Sequence, residues 1–212
     1  LSAPRIAVLD YGAANMVSVT QALASCGADV VVAAEVPSLA LADAIVVPGV
    51  GAAAAAMDAL RERDLLRPLR DWMRAGRPAL GICLGFQIML ERSEEGGAET
   101  LGLMPGRTAL LQGAPTLPHI GWNEVELTGP HPLFEGVPDR SHFYFVHSYV
   151  AIPADEATVV ARTTHGSSFV SAAASGCVWG IQFHPEKSGE MGQRVLANFL
   201  RLVRDGRTGR TG

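Results

Sequence analysis

The chain has 212 residues, 48% of them hydrophobic and 18% charged, with a formal net charge of −4 and a pI near 5.9. These proportions supply a folded core and exclude a disordered polymer, and the acidic balance without a Lys/Arg stripe excludes a nucleic-acid surface. No apolar run reaches the ~18 residues of a bilayer span, and Leu1 to Val8 lack the pattern of a secretory leader, so the chain is expected to be soluble and cytoplasmic.

In chain order, Arg5–Leu9 reads as a strand and Asn15–Ser25 as a helix closed by Gly27. Val30–Ala33 is a second strand, and Asp43–Val47 an apolar third that ends in Pro48-Gly49. Ala52–Arg63 and Leu66–Ala75 read as helices, Pro78–Ile82 as a short buried strand and Leu84–Glu91 as a helix. Apolar strands separated by helices predict an α/β fold with a mainly parallel sheet covered on both faces. The second half reads as short strands at Val125–Leu127, His142–Ala151, Thr158–Arg162, Ser168–Ala172 and Val178–Phe183, then a helix from about Glu190 to Val203. The expectation is one domain over residues 1–203 and a disordered tail over 204–212.

Gly81-Ile82-Cys83-Leu84-Gly85 stands between an apolar strand and a helix. That is the arrangement of a nucleophile elbow with cysteine in place of serine. The sharp turn needs small flanking residues and places the sulfur at a helix N-terminus, where a thiolate is favoured. The Leu84 N–H faces the same place and is a candidate oxyanion donor. The alternative is a buried core cysteine after a strand.

A nucleophilic cysteine needs a base. In Gln182-Phe183-His184-Pro185-Glu186 the imidazole and the carboxylate are two residues apart, a spacing that puts both on one side of an extended chain. Glu186 then orients His184 toward Cys83, as in a triad. The order nucleophile, histidine, acid differs from that of the α/β-hydrolases and excludes that class.

Pro48-Gly49-Val50-Gly51 follows a buried strand. A dinucleotide fingerprint would need the first strand and a later ribose-binding acid, and neither is present. An oxyanion segment offering the Val50 N–H fits better, with a simple turn as the alternative, and its two glycines would let the Gly49–Val50 peptide rotate as a switch. Cys26, Cys83 and Cys177 have no CxxC spacing, which argues against disulfides and thiolate metal sites and for a reducing compartment. Cys26 and Cys177 are expected to be packed core residues, and His131 and His142 loop or surface residues.

These motifs together resemble the class I triad glutamine amidotransferases. Within them, Leu9-Asp10-Tyr11-Gly12 with Asn15, Pro48–Gly51, Leu117-Pro118-His119-Ile120-Gly121-Trp122-Asn123, Tyr144-Phe145-Val146-His147-Ser148-Tyr149 and Gln182–Ser188 look like the glutaminase subunit of imidazole glycerol phosphate synthase. The resemblance implies a mixed, mainly parallel sheet between helices. It implies that Cys83, His184 and Glu186 hydrolyse L-glutamine through a thioester. By the same resemblance Gly51, Gln87, Ser148 and Tyr149 bind the substrate, and ammonia passes to a (β/α)8 cyclase subunit in a heterodimer. No metal or organic cofactor is implied. The chain departs from the family at Ala14, Ala52 and His165, where glycine, an aromatic residue and tyrosine are more usual. His119, Trp122 and Asn123 remain open between a partner surface and a structural role.

Overall fold

The computed structural model describes residues 2–12 and 16–208. Thirteen strands and six helices of this range follow one another as β1 (Arg5–Leu9), α1 (Met16–Ser25), β2 (Asp29–Ala33), α2 (Val36–Ala40), β3 (Ala44–Val47), α3 (Ala53–Glu62), α4 (Leu66–Arg74), β4 (Ala79–Ile82) and α5 (Leu84–Gln87). Then come β5 (Arg92–Ser93), β6 (Ala98–Glu99), β7 (Gly106–Leu110), β8 (His119–Leu127), β9 (Ser141–His147), β10 (Tyr149–Pro153), β11 (Val159–His165), β12 (Ser167–Ser175), β13 (Val178–Ile181) and α6 (Gly189–Thr208).

The main sheet runs β2-β1-β3-β4-β13-β12-β10-β7-β5-β6. Its first five strands are mutually parallel, and β12, β10 and β7 continue it antiparallel. Strands β3, β4 and β13 are buried at every position, because helices cover both faces and leave no solvated side for polar residues. On one face Val19 and Leu23 of α1 meet Val195, Leu196 and Phe199 of α6. On the other, Met57 and Leu60 of α3 pack with Leu69 and Trp72 of α4. Strand β8 leaves the main sheet to pair with β11 and, in an antiparallel ladder, with β9.

The elements of the first half lie within a residue or so of their expected places. The helix after the elbow differs. It was expected to reach Glu91 but stops at Gln87. The following backbone is engaged elsewhere: the Ile88 carbonyl accepts from Leu101 N–H at 2.8 Å, Met89 from Leu103 at 2.9 Å and Leu90 from Gly102 at 2.8 Å. Within the segment, Met89 and Leu90 N–H donate only three residues back, to Phe86 O and Gln87 O, and Glu91 N–H donates to Gly106 O at 3.2 Å, where a continuing helix would need Gln87 O as its acceptor. Sequence reading also missed α2 and the strands β5, β6 and β7. At the C-terminus, 204–208 continue α6 instead of fraying, and residues 209–212 lie outside the described residues, as do Ala14 and Asn15.

Candidate active site

The elbow rests on the backbone of one residue. Cys83 has φ 54 and ψ −110, a conformation that an L-residue adopts only under constraint. Its N–H donates to Ile181 O of β13 at 2.8 Å, and its carbonyl accepts from Gln87 N–H at 3.1 Å. The flanking glycines are required by packing. A Cβ at Gly81 would lie 2.7 Å from Phe86 N, and one at Gly85 would fall inside the Val47 carbonyl of β3. The Leu84 N–H is left at the helix start without an intrahelical acceptor.

His184 follows β13, and its N–H donates to Tyr144 O of β9 at 2.9 Å. Its Nδ1 lies 2.8 Å from Glu186 Oε1, with side chains 4% and 2% exposed. The two residues do not share the face of an extended chain, as the spacing suggested. Pro185–Lys187 form a 3-10 turn, and the carboxylate returns to the imidazole around it. Ser188 locks the turn: its Oγ donates to His184 O at 2.6 Å and accepts from Tyr144 N–H at 3.0 Å.

His184 Nε2 is buried with no hydrogen-bond partner of ordinary geometry, as is Glu186 Oε2. Cys83 nonetheless perturbs the titration of the ring. Burial, the largest single effect, lowers the imidazole pKa; hydrogen bonding and charge from Cys83 and Glu186 together outweigh it and raise the pKa to about 9. The ring therefore holds its proton at neutral pH.

Cys83 opens onto a cavity of about 470 Å³ that gathers Val50, Gly51, Leu84, Gln87, Ser148 and Tyr149. These residues come from the β3–α3 loop, the elbow and the β9–β10 bend. A cleft of about 620 Å³ lies elsewhere, lined by Arg61, Arg67, Arg70 and Arg74 with Asp64 and Asp71; it holds no nucleophile. His184 and Glu186 do not line this cavity.

The family profile described as glutamine amidotransferase class-I matches residues 7–203. The chain is 43% identical over 206 residues to the imidazole glycerol phosphate synthase subunit HisH of Synechococcus elongatus, covering 95% of each chain. It is 44% identical over 199 residues to the HisH subunit of Bacillus cereus, covering 93% of this chain and 95% of that one. The chain belongs to the HisH family of class-I glutamine amidotransferases. It is thus a glutaminase subunit of the imidazole glycerol phosphate synthase type, of histidine biosynthesis. Solved structures show how far the fold extends beyond HisH: a putative GMP synthase component from Thermoplasma acidophilum superposes with a TM-score of 0.76 at 19% identity over 100% of both chains.

In this HisH-family chain several predicted residues take unexpected places. Gln87 is buried, and its Nε2 donates to Tyr149 O at 2.8 Å and to Gln182 Oε1 at 3.1 Å. Only its carbonyl end remains for a ligand. Gln182 Nε2 in turn donates to Cys83 Sγ at 3.6 Å. Cys177 is exposed and Cys26 only partly buried, against the expected packing of both. His131 Nδ1 accepts from Leu133 N–H at 3.2 Å, and His142 is exposed. The open trio divides: His119 is buried, Asn123 is hydrogen-bonded to it, and Trp122 is 56% exposed.

Sequence reading missed Glu95. Its carboxylate lines the cavity and accepts from Ala53 N–H at the start of α3 at 2.9 Å. In the sequence it is one of two adjacent glutamates before Gly96-Gly97, the look of a solvated turn; only the fold brings it to the cavity. It also missed His147 on the same wall.

Proposed function

We propose that Cys83, His184 and Glu186 form the triad that hydrolyses L-glutamine here. The thiolate of Cys83 attacks the side-chain amide carbon, and the carbonyl oxygen takes up the negative charge between the N–H groups of Val50 and Leu84. His184 gives its proton to the departing nitrogen, ammonia leaves and a thioester remains. Water, deprotonated by His184, then splits the thioester into glutamate and free Cys83 thiol. Glu186 holds the imidazole and stabilises its cationic form.

Glutamine binds in the cavity against Gly51, Gln87, Ser148 and Tyr149, and the Glu95 carboxylate supplies a counter-charge for its α-ammonium group. Residues 1–203 act as one amidotransferase domain in the cytoplasm. The partner is a (β/α)8 cyclase subunit, joined as a heterodimer, which receives the ammonia and makes imidazole glycerol phosphate and an aminoimidazole carboxamide ribotide. No cofactor is needed for this amide hydrolysis. No helix among the described residues is long and apolar enough to cross a membrane.

The observation that carries this reading is a buried His184–Glu186 pair, 2.8 Å apart, together with a cysteine held at φ 54 that lines a cavity. The test is glutamate release by the chain alone, with the cyclase subunit, and with that subunit and its ligand. Stimulation by the cyclase is expected. Glutamine hydrolysis without any response to it would point to a different synthase, and none under any condition to a non-catalytic scaffold.

A further inference from the structure

Two histidines of this chain take no part in the triad chemistry, yet they are buried beside it. His119 of β8 and His147 of β9 are cross-strand partners. His119 Nδ1 lies 3.1 Å from His147 Nε2, and His147 Nδ1 lies 3.1 Å from the Tyr149 carbonyl. On the far side, His119 Nε2 lies 3.2 Å from Asn123 Nδ2.

Only one proton arrangement satisfies these contacts with neutral rings. A carbonyl can only accept, so His147 carries its proton on Nδ1 and leaves Nε2 as an acceptor. His119 must then donate from Nδ1 and accept at Nε2. Asn123 must present its amide nitrogen, and its orientation is fixed independently: Nδ2 donates to Thr164 O at 2.9 Å, and Oδ1 accepts from Glu124 N–H at 2.8 Å. The chain therefore runs one way, from Asn123 through His119 and His147 to Tyr149 O. Both rings are also held below the ordinary histidine pKa, His147 to about 3 and His119 to about 4, chiefly by burial and then by neighbouring histidines.

The end of this chain is where glutamine is proposed to bind. Tyr149 O accepts from His147 and also from Gln87 Nε2. One carbonyl thus ties together two residues of the substrate wall. Strand β7 pairs with the same segment from the other side, and just past it Leu111 N–H donates to Ser148 O at 2.9 Å. Strand pairing fixes where the segment lies, and the imidazole chain fixes which way its carbonyl and its neighbour Gln87 face.

We propose that His119, with Asn123, is a positioning residue for glutamine binding, acting through His147 on the Tyr149 carbonyl and Gln87. This rests on the reading of the cavity as the glutamine site. A broken chain leaves His147 Nε2 without its donor and loosens the wall, so the loss falls on glutamine affinity more than on the reactivity of Cys83.

His119→Phe keeps a ring to stack on Phe145 and His165 but cannot donate, while His119→Asn restores a donor near the Nδ1 position. Two electrophiles are compared on each folded chain: a chloroketone shaped like glutamine, and iodoacetamide, which needs no substrate site. His119→Phe is expected to slow modification of Cys83 by the chloroketone about tenfold, the size of one lost buried hydrogen bond, with the iodoacetamide rate unchanged. His119→Asn should recover most of the loss. In the complex with the cyclase subunit, KM for glutamine should rise more than kcat falls. Imidazole ¹⁵N spectra of the unaltered chain should show both rings as neutral Nδ1–H tautomers. Equal slowing by both electrophiles, or none, overturns the proposal.

If His119→Phe does not fold, Asn123→Leu breaks the chain at its half-exposed end. A smaller loss of chloroketone reactivity is then expected, and unchanged reactivity with unchanged tautomers overturns the proposal. If the chloroketone fails to modify Cys83 in the unaltered chain, the glutamine-site reading itself falls, and the positioning role with it.

Discussion

The buried hydroxyl of Tyr11 donates to the carbonyl of Pro48 at 2.7 Å. It reaches from the end of β1 to the first residue of the segment whose Val50 and Gly51 line the cavity. Burial, and then the charge of Cys83, raise the phenol's pKa well above its usual range, so it stays a donor at every working pH. Tyr11→Phe leaves the Pro48 carbonyl without this donor, at a cost of about 1–3 kcal/mol. Thermal unfolding should show the loss of stability, and glutaminase turnover should fall while labelling of Cys83 by iodoacetamide persists. Unchanged turnover in a destabilised chain would make the contact purely structural.

Beyond that anchor, Gly51 has φ +100, a conformation that favours glycine. Val50 is partly exposed at the cavity mouth. Val50→Pro removes the N–H proposed for the oxyanion. Loss of one such donor costs about 10²–10³ in rate, so cyclase-stimulated turnover should collapse while the thioester still forms slowly. Full stimulation in a folded Val50→Pro complex would place the oxyanion donor elsewhere.

Cys83→Ala should abolish glutamine hydrolysis and leave the cyclase reaction intact when free ammonia is supplied. It should also change His184. Cys83 and Glu186 are the groups that raise the imidazole pKa to about 9, so removing either contribution should lower it. An NMR titration of His184 in Cys83→Ala and in Glu186→Gln tests this, and an unmoved midpoint in both would contradict the assignment. Glu186→Gln should impair turnover less than His184→Ala, because in the proposed triad the acid orients and stabilises while the histidine carries the proton.

In the proposed mechanism the same shift sets the alkaline limb of activity. With the folded pKa near 9 and the ordinary value 6.5, protonated His184 persists through neutral pH. Its contribution to stability is fully present below pH 6.5 and is lost as pH rises through about 9. Turnover by the complex should hold through pH 8 and fall above about 9 as the acid for ammonia departure disappears.

His147 and His119 act at the other end of the scale. Their folded pKa values, about 3 and about 4, lie below the ordinary 6.5, so an unfolded chain takes up protons that the fold refuses. Their contribution is present above pH 6.5 and is lost as pH falls toward 4 and then 3. Denaturant unfolding between pH 7.5 and 4 should show a steep loss, and His119→Phe should flatten it. An equal slope in the variant would assign the acid sensitivity to other groups.

Local chemistry made much of this molecule legible in the sequence. Arg5–Leu9 and Asp43–Val47 read as strands because every position after Arg5 and after Asp43 is apolar, the pattern of a sheet covered on both faces. The elbow was legible because Gly81, Cys83 and Gly85 answer a steric demand within five residues. His184 and Glu186 were legible as a pair from their spacing alone, although the turn that joins them was not. What only the tertiary structure decided depends on groups far apart in the chain. The helix after Cys83 ends early because the Glu91 N–H goes to Gly106 O, 15 residues on, instead of back to Gln87. Gln87 turns its amide to Tyr149, 62 residues away, and Glu95 reaches the cavity through Ala53, 42 residues away. His119 meets His147 only across the β8–β9 ladder. Short-range propensity records steric and periodic demands between near neighbours, whereas the partner of a buried polar group is set by whichever distant strand the fold lays beside it.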